Sequence, residues 1–378
     1  MDTPYSWYPG TVRVAATGWA IPVELLPDEL FSSWLVRAAL ANGCDPLTFT
    51  GVVWPKWRVW TGDVDRHPPA DRLSVISKMG NIPVDAFAAS TLSLLVRRAF
   101  GELPRKESAW PWILAIGARN RRRSGGLQYC PICSKDAKPY FRLQWRLAWH
   151  TGCDRHGCRL EDRCPACGAP IEPHRLSVKS GSIVHCATCR SPLSNAETAS
   201  LSELALKFQS EADAVATSGK AWFDGIEVNA GDWFALARFY AGLVRRMSRQ
   251  ETAWVVSVGH SLGIQDTDAL SDPAPLEQLR TCDRAILLDG VSRLLDLPTE
   301  QLGALLAERN VSRQALFPKG VSIPALLRGV ADGLADRPIT RSLGKALPKR
   351  GGMPAPRPRH EVERMMFRLR RKMIQVQV

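Results

Sequence analysis

Between residues 130 and 189 the chain sets out four short hooks, each a pair of soft metal ligands with two residues between them. They are Cys130 with Cys133, Cys153 with His156, Cys164 with Cys167, and Cys186 with Cys189. Such a hook turns the backbone so that both side chains face one ion, and thiolate with imidazole suits zinc. Nineteen residues part the first two hooks and eighteen part the last two, a zinc-ribbon-like separation. The reading is two tetrahedral zinc sites, one of three cysteines and His156, the other of four cysteines. A catalytic zinc keeps a position open for water, whereas both sets here are complete with four protein ligands. Neither an HExxH helix nor the H-x-E…P-C-x-x-C deaminase pattern occurs, so the metal is expected to be structural and the chain not an enzyme. Disulfide staples are the competing use of cysteine, but a cytosolic chain of 378 residues has no need of them. Cys158 reads as a small buried side chain rather than a ligand competing with His156. His150, His174 and His185 read as surface or outer-shell residues, and Cys44 and Cys282 stand apart.

The elements that must hold these hooks begin with the turns themselves. In Cys164-Pro165-Ala166-Cys167-Gly168, proline shapes the turn and glycine takes its positive-φ position. Upstream, a helical pattern sets in from Glu24. Leu30, Trp34, Leu35, Ala38 and Ala39 recur on one helix face, with Gly43 as the cap. Residues 71–92 carry a helix-turn-helix outline, a short helix through Leu73, Val75 and Ile76, a turn at 79–81, and a second helix with Phe87 inward, which a helix corner serving packing alone would equally give. Trp54, Trp57 and Trp60, spaced by three, suit core and groove packing more simply than a stacking platform for bases. Residues 140–150, YFRLQWRLAWH, suggest a helix on which Arg142 and Arg146 stand side by side. Further on, Trp233, Leu236, Ala237, Tyr240, Leu243 and Val244 make a helical stripe. A second helix-turn-helix outline runs through 297–317, with Ser312 as N-cap of a helix exposing Arg313 and Gln314.

Five segments follow from these patterns. They are an extended leader (1–20), an N-terminal helical domain (21–125), the tandem zinc module (126–195), a C-terminal helical domain (196–347), and a basic linker and tail (348–378). The fold class is therefore mainly α-helical and multidomain, with a central tandem zinc-ribbon-like module and helix-turn-helix elements.

The formal charge of +13 is uneven. Residues 341–378 hold eleven Lys or Arg against two Glu, a net +9. Such a balance suits a polyanion, most often nucleic acid. The candidate contacts are Arg119, Arg121, Arg122 and Arg123 in the basic linker, Arg313 and Gln314, and the tail residues Lys349, Arg350, Arg368, Arg370, Arg371 and Lys372. No apolar run approaches the length of a membrane span. The opening MDTPYSWYPG lacks the charged-then-apolar order of a secretory signal, so a cytoplasmic protein is expected.

Two stretches together carry a family resemblance. "LPDELFSSWLVRAALANG" is followed by "YCPICSKDAKPYFRLQWRLAWHTGCDRHGCRLEDRCPACG". This order resembles the TniQ/TnsD family of transposon target-site selection proteins. The matching parts are Glu29 through Arg37, the first CPxC, Tyr140-x-Arg142 with Trp145-Arg146, His156-Gly157, and the CPxCG hook. Phe31, where leucine is commoner, and Cys158 depart from the pattern. The resemblance covers roughly residues 20–195. It implies a non-enzymatic adaptor that binds double-stranded target DNA, or a DNA-bound and possibly RNA-guided targeting complex. Its partners would be an AAA+ ATPase regulator and, through it, the transposase, in a bacterial, nucleoid-associated cytoplasmic setting. A homodimer stays open. The absence of a GxxxxGK[ST] loop agrees with hydrolysis residing in a partner. The other reading of the same parts is an autonomous zinc-containing helix-turn-helix transcription regulator.

Overall fold

A computed structural model describes residues 18–104, 109–116, 127–264, 268–336 and Met366. The leader up to residue 17, the basic linker residues Arg119, Arg121, Arg122 and Arg123, and the tail residues Lys349, Arg350, Arg368, Arg370, Arg371 and Lys372 lie outside them. The chain divides into units 1–335 and 336–378, and nearly all described residues belong to the first.

Helix α1 (Phe31–Ala41) starts later than the sequence pattern suggests, because residues 27–28 make a turn and Glu29 is bridged to Arg142. The expected stripe is nonetheless its buried face, with Trp34, Leu35, Ala38 and Ala39 sealed from solvent. Beside it lie α2 (Pro46–Val53), α3 (Ala70–Gly80) and α4 (Val84–Ala89). The α3–α4 corner turns at Asn81 in the left-handed region, and Phe87 points inward onto Phe31 and Trp34. Trp54 is buried in this core, with Trp57 edge-on to it at 4.9 Å and Trp60 stacked on His174 at 5.2 Å. These three tryptophans are packing residues.

Helix α5 (Leu92–Phe100) follows, but its apolar face joins a different core. That core belongs mainly to α6 (Glu203–Ser218), α7 (Ala230–Ser248), α8 (Ala253–Ser261), α9 (Thr281–Leu295), α10 (Thr299–Glu308), α11 (Arg313–Leu316) and α12 (Arg328–Gly333). Ser202 caps α6 by accepting from Ala205 N–H, and Asn229 caps α7 in the same way from Asp232 N–H. The expected stripe of α7 is buried in full. At the α7–α9 crossing Gly290 lets Val244 approach so closely that a Cβ at 290 would lie 2.9 Å from it.

Between α6 and α7 the chain makes an antiparallel hairpin, β1 (Lys220–Phe223) with β2 (Ile226–Asn229), in register Lys220 with Asn229. Asp224 and Gly225 both adopt positive φ, 50° and 78°, which is the type I′ turn that matches strand twist.

No α-helix occurs among described residues 101–202. The helix expected over 140–150 is absent: bridges at Arg142 and Leu147 flank a 3₁₀ turn at Leu143–Arg146, and a further turn follows at 148–149. A third apolar cluster here includes the buried hook cysteines with Leu30, Tyr129, Phe141, Trp145, Leu160 and Leu193. Among the described residues no helix is long and apolar enough to cross a membrane.

Candidate metal centres and nucleic-acid interface

The four hooks share one backbone design. In each, the residue following the second ligand donates its N–H to the carbonyl of the first cysteine, at 2.8–3.0 Å for Ser134, Gly157, Gly168 and Arg190. In three, the first cysteine's N–H is bonded to the carbonyl five residues on, from Cys153 to Cys158, Cys164 to Ala169, and Cys186 to Ser191. The turn demands a left-handed residue, met by Gly157, Gly168 and, with a Cβ, Arg190 at φ 64°. Backbone N–H groups of Cys133 and Thr188 reach the sulfurs of Cys130 and Cys186 at 3.4 Å. Burial alone would push the Cys186 thiol up, but N–H donors from Cys189 and Thr188 bring it down to about 7.

Hooks one and two converge, as do three and four, with the ligand atoms of each set within 4.8 Å of one another. Cys133 Sγ lies 3.7 Å from Cys153 Sγ. His156 enters through Nδ1, which is 3.5, 3.3 and 3.5 Å from the sulfurs of Cys130, Cys133 and Cys153. In the second set Cys164 and Cys189 are 3.5 Å apart and Cys167 and Cys186 are 3.7 Å apart. A tetrahedral ion with the metal–ligand lengths of zinc gives edges of about 3.8 Å between sulfurs and about 3.6 Å from sulfur to nitrogen. The separations fit such an ion, so each cluster can hold a metal.

Cys158 sits outside the first set but only 3.5 Å from Cys130 Sγ. Burial, aided by the neighbouring Cys130, pushes its thiol up to about 12, and the two sulfurs lie within hydrogen-bond distance. Its place in the hook matches that of Ala169 and Ser191, a position for small side chains. His174 is the ring stacked on Trp60. His150 departs from its expected surface or outer-shell role on exposure, being almost wholly buried and bonded to Asp213.

The two stretches that carry the family pattern are brought together, a role that the helix reading of 140–150 missed. Leu30 N–H bonds Phe141 C=O at 3.0 Å, and Leu143 N–H bonds Asp28 C=O at 2.7 Å. Ser33 Oγ donates to the buried Glu29 at 2.9 Å and accepts from Phe141 N–H at 3.0 Å, while Arg37 closes an ion pair on Glu29. Burial raises the Glu29 carboxyl against that pairing. Arg142 grips Asp28 through one nitrogen at 2.9 and 2.6 Å, and Gln144 joins at 2.9 Å. Arg146 is fully buried and pairs with Asp63 at 2.6 Å and Asp65 at 3.0 Å. Asp65 in turn accepts from the N–H and hydroxyl of Ser32. These residues latch α1 onto the segment that leads into the second hook, and neither arginine stands on an α-helix.

Of the nucleic-acid candidates, only Arg313 and Gln314 are described. Ser312 does cap the helix they begin, accepting from Ala315 N–H. That helix, α11, is a single turn of four residues, too short to lie along a major groove with several side chains on bases. Arg313 is half-buried with Asp332 at 3.5 Å, whereas Gln314 is exposed.

A family model described as TniQ matches residues 20–160. This span includes α1–α5, the latch and the first four-ligand set. No curated protein matches the chain.

Proposed function

We propose, from the match of residues 20–160 to the TniQ family model, that this chain is a transposition-associated protein of that kind and acts as a target-selection adaptor. In this reading it binds the chosen double-stranded DNA, or a complex already seated there, and recruits an AAA+ ATPase regulator that brings the transposase. Cys130, Cys133, Cys153 and His156 hold one structural zinc, and Cys164, Cys167, Cys186 and Cys189 hold a second. The observation that carries the reading is the family match over a segment whose matched residues are engaged with one another. Glu29, Ser33, Arg37, Arg142 and Arg146 join in hydrogen bonds and ion pairs that hold residues 28–37 against residues 141–146. Such a framework suits a protein that presents surfaces to partners. DNA affinity comes from the basic linker and tail through counterion release, with Arg313 and Gln314 as a minor contact. The adaptor acts in the cytoplasm at the nucleoid.

The test is reconstitution on immobilised DNA bearing the insertion site, with the purified chain and the ATPase regulator of the same element. The ATPase should be retained on that DNA only when this chain is present. Retention independent of the chain sinks the adaptor reading. Sequence-specific DNA binding by the chain with no effect on the ATPase would select the transcription-regulator reading instead.

A further inference from the structure

We infer that His150 and Asp154 form a third metal site, distinct from the two hook clusters. It would take one divalent transition-metal ion between imidazole Nδ1 and the Asp154 carboxylate, with Asp213 orienting the ring.

The argument starts from the tautomer. His150 Nε2 lies 2.8 Å from Asp213 Oδ1, and the same oxygen accepts from Trp149 Nε1 at 2.8 Å. An ionised carboxylate only accepts, so Nε2 carries a hydrogen, and in that neutral tautomer Nδ1 is a lone pair. The side chain is 1% exposed, and Nδ1 is buried without a hydrogen bond. What Nδ1 faces is a carboxyl oxygen, Asp154 Oδ2, at 4.0 Å. A lone pair opposed to a carboxylate needs a cation, or a water donating to both, between them.

The separation discriminates between the cations. A proton bridges donor and acceptor over about 2.7–3.2 Å, so a protonated Nδ1 does not reach Asp154. Two metal–ligand bonds of about 2.0–2.2 Å reach across the 4.0 Å gap only with the two ligands nearly opposed about the ion, as in an octahedral shell. One ligand atom from each of His150, Asp154 and Asp213 falls within 4.8 Å of the others.

The surroundings hold these groups in place. Gln209 donates Nε2 to Asp154 Oδ1, while its Oε1 accepts from Thr151 and Gly152 N–H at 3.0 Å each. Oδ2 is thereby turned toward His150. Gln209 and Asp213 stand four apart on α6, on one helix face. The donation from an imidazole to a carboxylate behind it is the arrangement that fixes ring orientation and raises ligand basicity in metal sites. The Asp154 side chain is 50% exposed, which leaves room for water to complete the shell. An imidazole–carboxylate set suits zinc, cobalt, nickel or manganese rather than a thiolate-seeking ion. Bound there, the ion would tie the second hook to α6.

Cobalt(II) is the probe, added to the full-length chain with its hook clusters already filled with zinc. Equilibrium dialysis should give one further Co²⁺ per chain, without the intense near-ultraviolet band that thiolate-bound cobalt shows. Asp154→Asn, a surface exchange that preserves the acceptor for Gln209, and His150→Gln should each abolish that equivalent. Asp136→Asn, an acid paired with Arg155 beside the same hook, should leave it unchanged. No further Co²⁺, undiminished binding in Asp154→Asn, or binding that appears only with the thiolate band would each overturn the assignment. Because zinc is counted on the same samples, loss of the hook metals is read separately from failure of this site.

Discussion

Cysteine at position 158 shows how little separates a ligand from its neighbour. Its sulfur is as near to Cys130 Sγ, at 3.5 Å, as His156 Nδ1 is, yet only four groups make up the first set. A tetrahedral ion has no fifth position, so Cys158 is left beside a ligand sulfur rather than on the ion. Replacement of Cys130, Cys153, Cys164 or Cys186 by serine should therefore remove about one zinc per chain, measured by atomic emission. It should also leave the protein insoluble, since a structural zinc contributes on the order of 10–16 kcal/mol to folding. Cys44→Ser, Cys158→Ser and Cys282→Ser should keep both metals; loss of one with Cys158→Ser would reassign the first site. The hooks were legible in the sequence because their geometry is local. Two intervening residues dictate the turn, and Gly168 announces its left-handed residue. The His150 site was not legible, since Asp213 reaches it from α6 across a gap in sequence that no spacing rule describes.

At the scale of elements, Arg146 carries the latch. It is fully buried between Asp63 and Asp65, and burial pushes Asp65 up to about 6 against the pull of that guanidinium. Arg146→Met leaves Asp65 buried without its cation, at a cost of about 3–5 kcal/mol. The carboxyl then rises further above its ordinary 3.8, so the folded variant binds a proton near neutrality that the unfolded chain does not. Its stability must then fall as pH rises. Urea unfolding should accordingly show a larger deficit against the parent protein at pH 8 than at pH 6. An equal deficit at both would mean that Asp65 is not the orphaned charge. The apolar spacing of residues 140–150 suggests a helix because periodicity reports only which residues are buried. Here the segment is a run of bridges and turns, held by pairing with Asp28, Leu30 and Ser33 more than a hundred residues away. The β1–β2 hairpin is a different kind of miss. Trp222-Phe223-Asp224-Gly225-Ile226 contains the Asp-Gly signal of a type I′ turn, but it falls inside the segment 196–347 expected to be a helical domain.

Across the whole molecule, the question is which of the positive charges face outward. Several of the arginines that a sequence count includes are engaged inside the body. Arg146 and Arg284 are fully buried, and Arg37 and Arg142 close ion pairs with Glu29 and Asp28. Arg284 donates to the carbonyls of Ala148 and Leu279 and to Gln128, which fastens α9 to the segment before the second hook. The net +9 of residues 341–378, out of a total of +13, is therefore the larger reservoir for a polyanion. If five of those cations contact phosphates, affinity should drop by about 2.7 decades between 50 and 200 mM salt, from a slope of about −0.9 per contact. Deleting residues 341–378 should weaken binding at low salt and flatten that slope, with both zincs retained. A slope unchanged by the deletion would place the phosphate contacts elsewhere on the chain. No DNA affinity in the full-length protein, with two zincs bound, would mean that a partner complex finds the site and this chain only joins it to the ATPase.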